Sequence, residues 1–192
     1  MAIKIYIDQG HNPRNPNAGA EGNGLREQDL TYRIGIELAA LINENPNLTA
    51  RLSRPREDTQ LGTGNATSLA ARVNDANAWG ADYFISLHAN ASNIESASGS
   101  EGYVYALNST AYALGTAIVK NLTEATGLRN RGVFARPGLY VLRKTAMPAT
   151  LIELGFITNP NDAALMNNDP GLFARGVYNG ILAFLRTTQA SL

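Results

Sequence analysis

The sequence predicts a single α/β domain spanning residues 1–192, a mostly parallel twisted sheet of about six strands flanked by about five helices. Three observations carry this. Short apolar runs with strand character alternate with longer stretches whose apolar residues recur at helical spacing. Neither an internal repeat nor a linker-like segment divides the chain. Its 192 residues suit one core, since a domain of that size buries roughly 70% of its unfolded surface.

The elements follow in order. Ile3, Ile5 and Ile7 mark a first strand, broken by Asp8-Gln9-Gly10-His11-Asn12-Pro13. Residues 13–24 form a loop rich in Pro, Asn and Gly. Leu30, Ile34, Leu38 and Leu41 define an amphipathic helix over residues 26–43, and Pro46 prevents its continuation. A short strand over residues 48–53 precedes a polar loop. Ser68 is read as the cap of a helix through Leu69, Val73 and Ala76, closed by Gly80.

Tyr83-Phe84-Ile85-Ser86-Leu87-His88 reads as a strand covered on both faces and ending on a histidine. A Ser/Ala/Gly loop over residues 92–102 leads into a strand at 102–106. Ser109 or Thr110 caps a helix carrying Leu114, Ile118 and Leu122. Residues 129–138 read as a basic, irregular connection and 139–142 as a short strand. Residues 149–156 form a buried strand that contains Glu153. Asn159-Pro160 and Asp169-Pro170 each open a helix, the second with Phe173, Val177, Ile181 and Phe184 as its buried stripe.

Composition narrows the function. Sixteen basic and sixteen acidic residues cancel, which argues against a nucleic-acid partner. No apolar run is long enough to span a bilayer, so no membrane insertion is expected. The absence of cysteine excludes disulfides, thiol catalysis and thiolate metal sites. Met1-Ala2-Ile3-Lys4-Ile5 enters a strand pattern directly, and no signal peptide is expected.

Ligands of open α/β sheets bind beyond the carboxyl ends of the strands. Both histidines of the chain, His11 and His88, fall at such ends, and Glu153 lies near a third. Glu27, at the start of the first helix, returns to the same edge. Taken singly, each has a plain reading. A histidine at a strand end is commonly a satisfied core or loop residue. An acid in a first helical turn is commonly a dipole partner, and a buried glutamate can be rescued by an arginine. Taken together, two histidines and two glutamates fit catalytic zinc of the His/His/Glu type with a second carboxylate for proton transfer.

The sequence also resembles a known family. Asp8-Gln9-Gly10-His11, Gly19-Ala20 and Glu27-Gln28-Asp29-Leu30 resemble the opening of zinc-dependent N-acetylmuramoyl-L-alanine amidases of the Amidase_3 type. Ser53-Arg54, Arg72-Val73-Asn74, Ala76-Asn77 and Ala81-Asp82 continue the pattern. Phe84-Ile85-Ser86-Leu87-His88-Ala89-Asn90-Ala91 is its most specific stretch, and Pro148-Ala149-Thr150-Leu151-Ile152-Glu153-Leu154-Gly155-Phe156-Ile157-Thr158-Asn159 its closing motif. The resemblance implies one zinc ion per chain bound by His11, Glu27 and His88, with Glu153 as the catalytic carboxylate. It implies hydrolysis of the amide between the lactyl group of N-acetylmuramic acid and L-alanine in peptidoglycan. Gln9 and Asn12 depart from the family's usual proline and glycine. Residues 92–102 are too short to hold the inhibitory helix of some cell-division amidases, and no wall-binding module is recognised. Arg72 and Asn90 match family positions. They are read as shaping loops or supporting ligands, with a solvated or salt-bridging role favoured for Arg72.

A monomeric cell-wall hydrolase is expected, resembling a phage or prophage endolysin released through a separate pore, with a spore or mother-cell lysis role second. The alternatives are a zinc peptidase or deacetylase acting on another wall bond, and a non-catalytic wall-binding module on the same fold.

Overall fold

A computed structural model describes residues 2–189. Its main sheet has six strands: β1 (Ile3–Gln9), β4 (Leu48–Leu52), β5 (Tyr83–Asn90), β6 (Ser100–Val104), β7 (Asn130–Ala135) and β8 (Ala149–Phe156). Their spatial order is β4-β1-β5-β8-β6-β7. The first four are parallel, β6 runs antiparallel to β8, and β7 is parallel to β6. A two-stranded hairpin, β2 (Glu21–Gly22) with β3 (Leu25–Arg26), lies apart from it. The helices are α1 (Glu27–Glu44), α2 (Asn65–Trp79), α3 (Thr110–Thr126), α4 (Tyr140–Lys144), α5 (Pro160–Asn168) and α6 (Pro170–Gln189). Among the described residues, no helix is long and apolar enough to cross a membrane.

Strand side chains alternate between faces, and here the two faces differ. Ile5, Ile7, Ile85, Leu87, Ile152 and Leu154 belong to the larger core with residues of α1, α3 and α6. Leu30, Ile34 and Leu38 recur at helical spacing on α1, as do Phe173, Val177 and Ile181 on α6, and all are buried. Each such side chain contributes about 1.5–3 kcal/mol on burial. The other face carries a smaller cluster, Tyr6, Phe84 and Leu151 against Val73 and Ala76 of α2 and Val141 and Leu142 of α4. That thinner cover leaves the carboxyl end of this face for polar residues.

Several sequence expectations are corrected. Residues 139–142 are not a strand: Tyr140–Lys144 is a helix, because Val141 and Leu142 serve as a plug over the sheet and make no ladder of their own. The sixth strand is instead β7, within the segment expected to be irregular. It is an edge strand in which every residue is half-buried or exposed, so its apolar alternation is weak. With α4 the described residues form six helices, in line with the about five expected. β6 starts at Ser100, inside the expected loop, and ends at Val104. The loop over residues 13–24 contains β2. α2 begins at Asn65 after Gly64, whose backbone N–H donates to Thr67 Oγ1, so Ser68 is not a cap. Ser68 is buried inside the helix and accepts a hydrogen bond from Asn17 Nδ2 at 3.0 Å. Ser109 caps α3 as expected, accepting from Tyr112 N, and α5 opens where expected, with Asn159 accepting from Asn161 N and Asp162 N.

Candidate metal and catalytic site

The site forms where β1, β5 and β8 end on the thinly covered face. In β5, Phe84, Ser86 and His88 alternate onto this face, and His88 pairs in register with Glu153 of β8. The two side chains are therefore neighbours although 65 positions separate them. His11 arrives differently. It follows β1 with φ 68°, in the left-handed region, which an L-residue occupies only when its surroundings impose it.

Those surroundings are visible. Arg72 Nη2 donates to the His11 carbonyl at 2.6 Å, and Arg54 Nη1 adds a long contact at 3.5 Å. Arg72 Nη1 donates to Asp8 Oδ1 at 2.5 Å and to the Gln9 carbonyl at 2.6 Å. Ser86 donates to the second Asp8 oxygen at 2.7 Å. Arg72 and Asp8 are both fully buried. Burial would raise the Asp8 carboxyl, but the Arg72 charge and the two donors outweigh it and hold the group below its ordinary range. Arg72 is thus salt-bridging, as favoured from sequence, but it is not solvated. It fixes the turn that presents His11.

The residues that depart from the resemblance strengthen this turn. Asn12 Nδ2 donates to the Pro16 and Leu61 carbonyls, both at 2.9 Å, and its Oδ1 accepts from Leu61 N. Gln9 Oε1 accepts from Arg54 N at 2.9 Å. Glycine is required at two positions nearby. A Cβ on Gly10 would lie 2.6 Å from His88 Cε1, and one on Gly19 would lie 2.8 Å from Glu27 Oε2.

Glu27, first residue of α1, is buried and turned into the site. Its Oε1 meets His88 Nδ1 at 2.9 Å, His11 Nε2 at 3.1 Å and the Ala89 N–H at 3.1 Å. Its Oε2 accepts from Ala20 N at 2.9 Å. Burial pushes this carboxyl up, yet the two histidines outweigh that and hold it far below the carboxylate range. The ligating atoms of His11, Glu27 and His88 lie within 4.8 Å of one another. Two imidazoles and one carboxylate at this spacing can hold a metal ion, in the donor set of catalytic zinc.

Glu153 is the fourth member, and no arginine rescues it. Its Oε2 is buried without a hydrogen-bond partner. Burial, then the charges of Glu27 and Glu101, push its carboxyl up to about 8. A perturbed acid without a hydrogen-bond partner on its buried oxygen, beside a cluster that can hold a metal ion, marks a candidate functional site. A cavity of about 120 Å³ adjoins the histidines, walled by Leu69, Leu139, Tyr140 and Leu151.

The residues matching 5–183 fit the family model described as N-acetylmuramoyl-L-alanine amidase. The chain belongs to the Amidase_3 family. Among its relatives, the N-acetylmuramoyl-L-alanine amidase CwlM of Bacillus licheniformis is 37% identical over 183 residues, covering 93% of this chain and 67% of the relative. The endolysin of Bacillus phage SPP1 is 31% identical, covering 100% of this chain and 69% of the endolysin. The chain therefore spans about two thirds of the length of these relatives. The crystal structure of N-acetylmuramoyl-L-alanine amidase from Clostridium difficile 630 superposes with a TM-score of 0.86 at 28% identity, covering 96% of this chain and 97% of that one. This Amidase_3 domain therefore shares the family's fold over nearly its whole length, and the site stands on that fold.

Sequence reasoning missed Glu101. It pairs across the antiparallel ladder with Glu153 and accepts from Asn90 Nδ2 at 2.8 Å, Tyr103 Oη at 2.5 Å and Arg131 Nε at 2.6 Å. Burial opposes its ionisation, but these partners hold its carboxyl down. The only signal was an isolated acid before Gly102-Tyr103-Val104, in a stretch read as loop. Asn90, read as a loop-shaping or supporting residue, reaches Glu101 instead of a ligand.

Proposed function

We propose that this chain is a zinc-dependent hydrolase of the amide between the lactyl group of N-acetylmuramic acid and L-alanine in peptidoglycan. The carrying observation is the convergence of His11, Glu27 and His88 beside Glu153, whose Oε2 is buried without a partner. The donor set fits the ion: His11 Nε2 and His88 Nδ1 both face Glu27 Oε1, so three ligating atoms point inward on one spot. Zinc in such a set supplies Lewis acidity toward a carbonyl oxygen and makes water a usable nucleophile near neutral pH.

The remaining work falls to the protein. Glu153 takes the proton from the attacking water. Its raised pKa in the metal-free protein reflects an environment that favours the protonated form, which suits the next step. Protonated Glu153 then donates to the leaving nitrogen of L-alanine, so one carboxyl serves as base and acid in turn. Arg72, through the His11 carbonyl, and Ala20 and Ala89, through their N–H groups, fix the ligands and take no part in the chemistry.

The relative named as a phage endolysin supports a wall-lytic role, and two sporulation- and germination-specific amidases of Bacillus subtilis support the spore reading. The test is digestion of purified cell wall with mass spectrometry of the products. New L-alanine amines and free lactyl carboxyl groups are expected, lost on chelation and restored by zinc. Released acetate, or cut peptide crosslinks, would establish the deacetylase or peptidase instead, and an inert but folded protein the binding module.

A further inference from the structure

Residues 125–152 contain five cations, Arg129, Arg131, Arg136, Arg143 and Lys144, and no acid. This one-signed basic stretch supplies both β7 and α4 beside the site, in a chain whose charges balance as a whole. Arg131 is consumed by Glu101. Arg136 is exposed, and no carboxylate among the described residues pairs with it. Its guanidinium lies over the Tyr103 ring, 5.0 Å from the centroid. Tyr103 in turn sits 6.5 Å from Phe134, ring to ring, and Phe134 is 47% exposed. The two rings and the stacked arginine form a platform on the uncovered part of the site's own face.

The platform is joined to the catalytic carboxylate. Tyr103 donates to Glu101, which pairs in register with Glu153. Tyr103 itself pairs with Leu151, two residues from Glu153. Two residues of strand are about 7 Å, and one or two residues of extended peptide, at roughly 3.5 Å each, cover that distance. The other flank of the site, toward β4, is mixed in charge, with Asp29, Glu57 and Asp58 beside Arg14 and Arg26.

The proposed substrate has an equally uneven charge. Its lactyl carboxyl is consumed in the scissile amide, so the glycan side is neutral there. The stem peptide beyond L-alanine carries free carboxylates. Resting on the amidase reading, we propose that the β6–β7 face is the stem-peptide subsite, in which Arg136, stacked on Tyr103, receives a carboxylate of the residue after L-alanine. Stacking holds the planar fork in place before binding, so less side-chain freedom is lost when it grips a carboxylate. The glycan then runs toward the β4 edge.

The test compares two soluble muropeptides that differ only at the residue after L-alanine, one with a free carboxylate and one with that group amidated. Arg136→Gln is expected to lower kcat/KM on the acidic stem roughly tenfold more than on the amidated one, the size of one lost charge-assisted contact. The change should lie in KM. Arg175→Gln, at an exposed position of α6, serves as a control that leaves the ratio between the two substrates unaltered. An equal loss on both substrates, or no loss on either, overturns the subsite. A wild-type protein that frees the L-alanine amine from neither substrate overturns the amidase reading, and the subsite with it. Cleavage of both with an unmoved ratio sinks the subsite alone.

Discussion

Along the same three strands, Ile7, Ile85, Ile152 and Leu154 face α1, α3 and α6, while Asp8, Ser86, His88 and Glu153 face the other way. One position of alternation separates an apolar core from a buried polar network. The first face is covered by three long helices and holds the fold together through area removed from water. The second is covered only by α2 and the five-residue α4. It keeps ionised and unpaired groups in place through directed hydrogen bonds, at a cost the first face offsets. A sheet can thus divide stability from chemistry without dividing the chain into domains.

The sharpest break in that comparison is Glu153→Gln. It removes an acid whose buried Oε2 has no partner, so the fold should be unharmed, while turnover falls by about two to four orders of magnitude. Melting curves alongside assays of released L-alanine amines decide it: a melting point several degrees lower would mean Glu153 is structural. Next is Arg72→Ala, which strips Asp8 and the His11 carbonyl of their buried partner and should destabilise by about 3–5 kcal/mol. Ile118→Ala, a cavity on the apolar face, should cost about 2–5 kcal/mol. In urea titrations the two should look alike. In metal-binding titrations only Arg72→Ala should weaken affinity, because only it releases His11.

The polar face should also be visible in the pH dependence of the metal-free protein. Glu153 has a folded pKa of about 8, above the ordinary value of about 4.3 in an unfolded chain. Its contribution is therefore fully present below the unfolded value and is lost as pH rises through about 8. Relative to the parent, chelator-treated Glu153→Gln should become progressively more stable between those limits. Parallel stability curves for the two proteins would show that Glu153 is ionised throughout. The smallest effect is Asn12→Gly, which restores the family's usual residue but deletes the contacts to Pro16, Leu61 and Arg72. A loss of about 1–3 kcal/mol is expected, and no loss would show that the turn around His11 is held by Arg72 alone.

Much of this was legible beforehand. The apolar face announces itself through periodicity, so α1, α3 and α6 and the strands β1, β5 and β8 lie where the pattern puts them. The two histidines and Glu153 stand out as polar residues at the ends of apolar runs. The β6–β7 region was read poorly. An edge strand is half-exposed, so β7 lacks a clean alternation, and a five-residue apolar segment such as α4 carries too few turns to show its period. Arg72 was legible as a charge partner but not as a buried one, since its partners Asp8 and His11 lie more than 60 residues away.

The sequence by itself determined which residues are apolar at what period, and hence the alternation of strands and helices and the polar residues left at strand ends. That information is local: each element's pattern is set by neighbours two positions away in a strand and three or four in a helix. Only the tertiary structure decided that β8 inserts between β5 and β6, setting Glu153 between His88 and Glu101. It also decided that Glu27 turns inward to two histidines instead of resting as a dipole partner at the start of α1. Those outcomes depend on strand order and register, which arise from packing the whole apolar face at once.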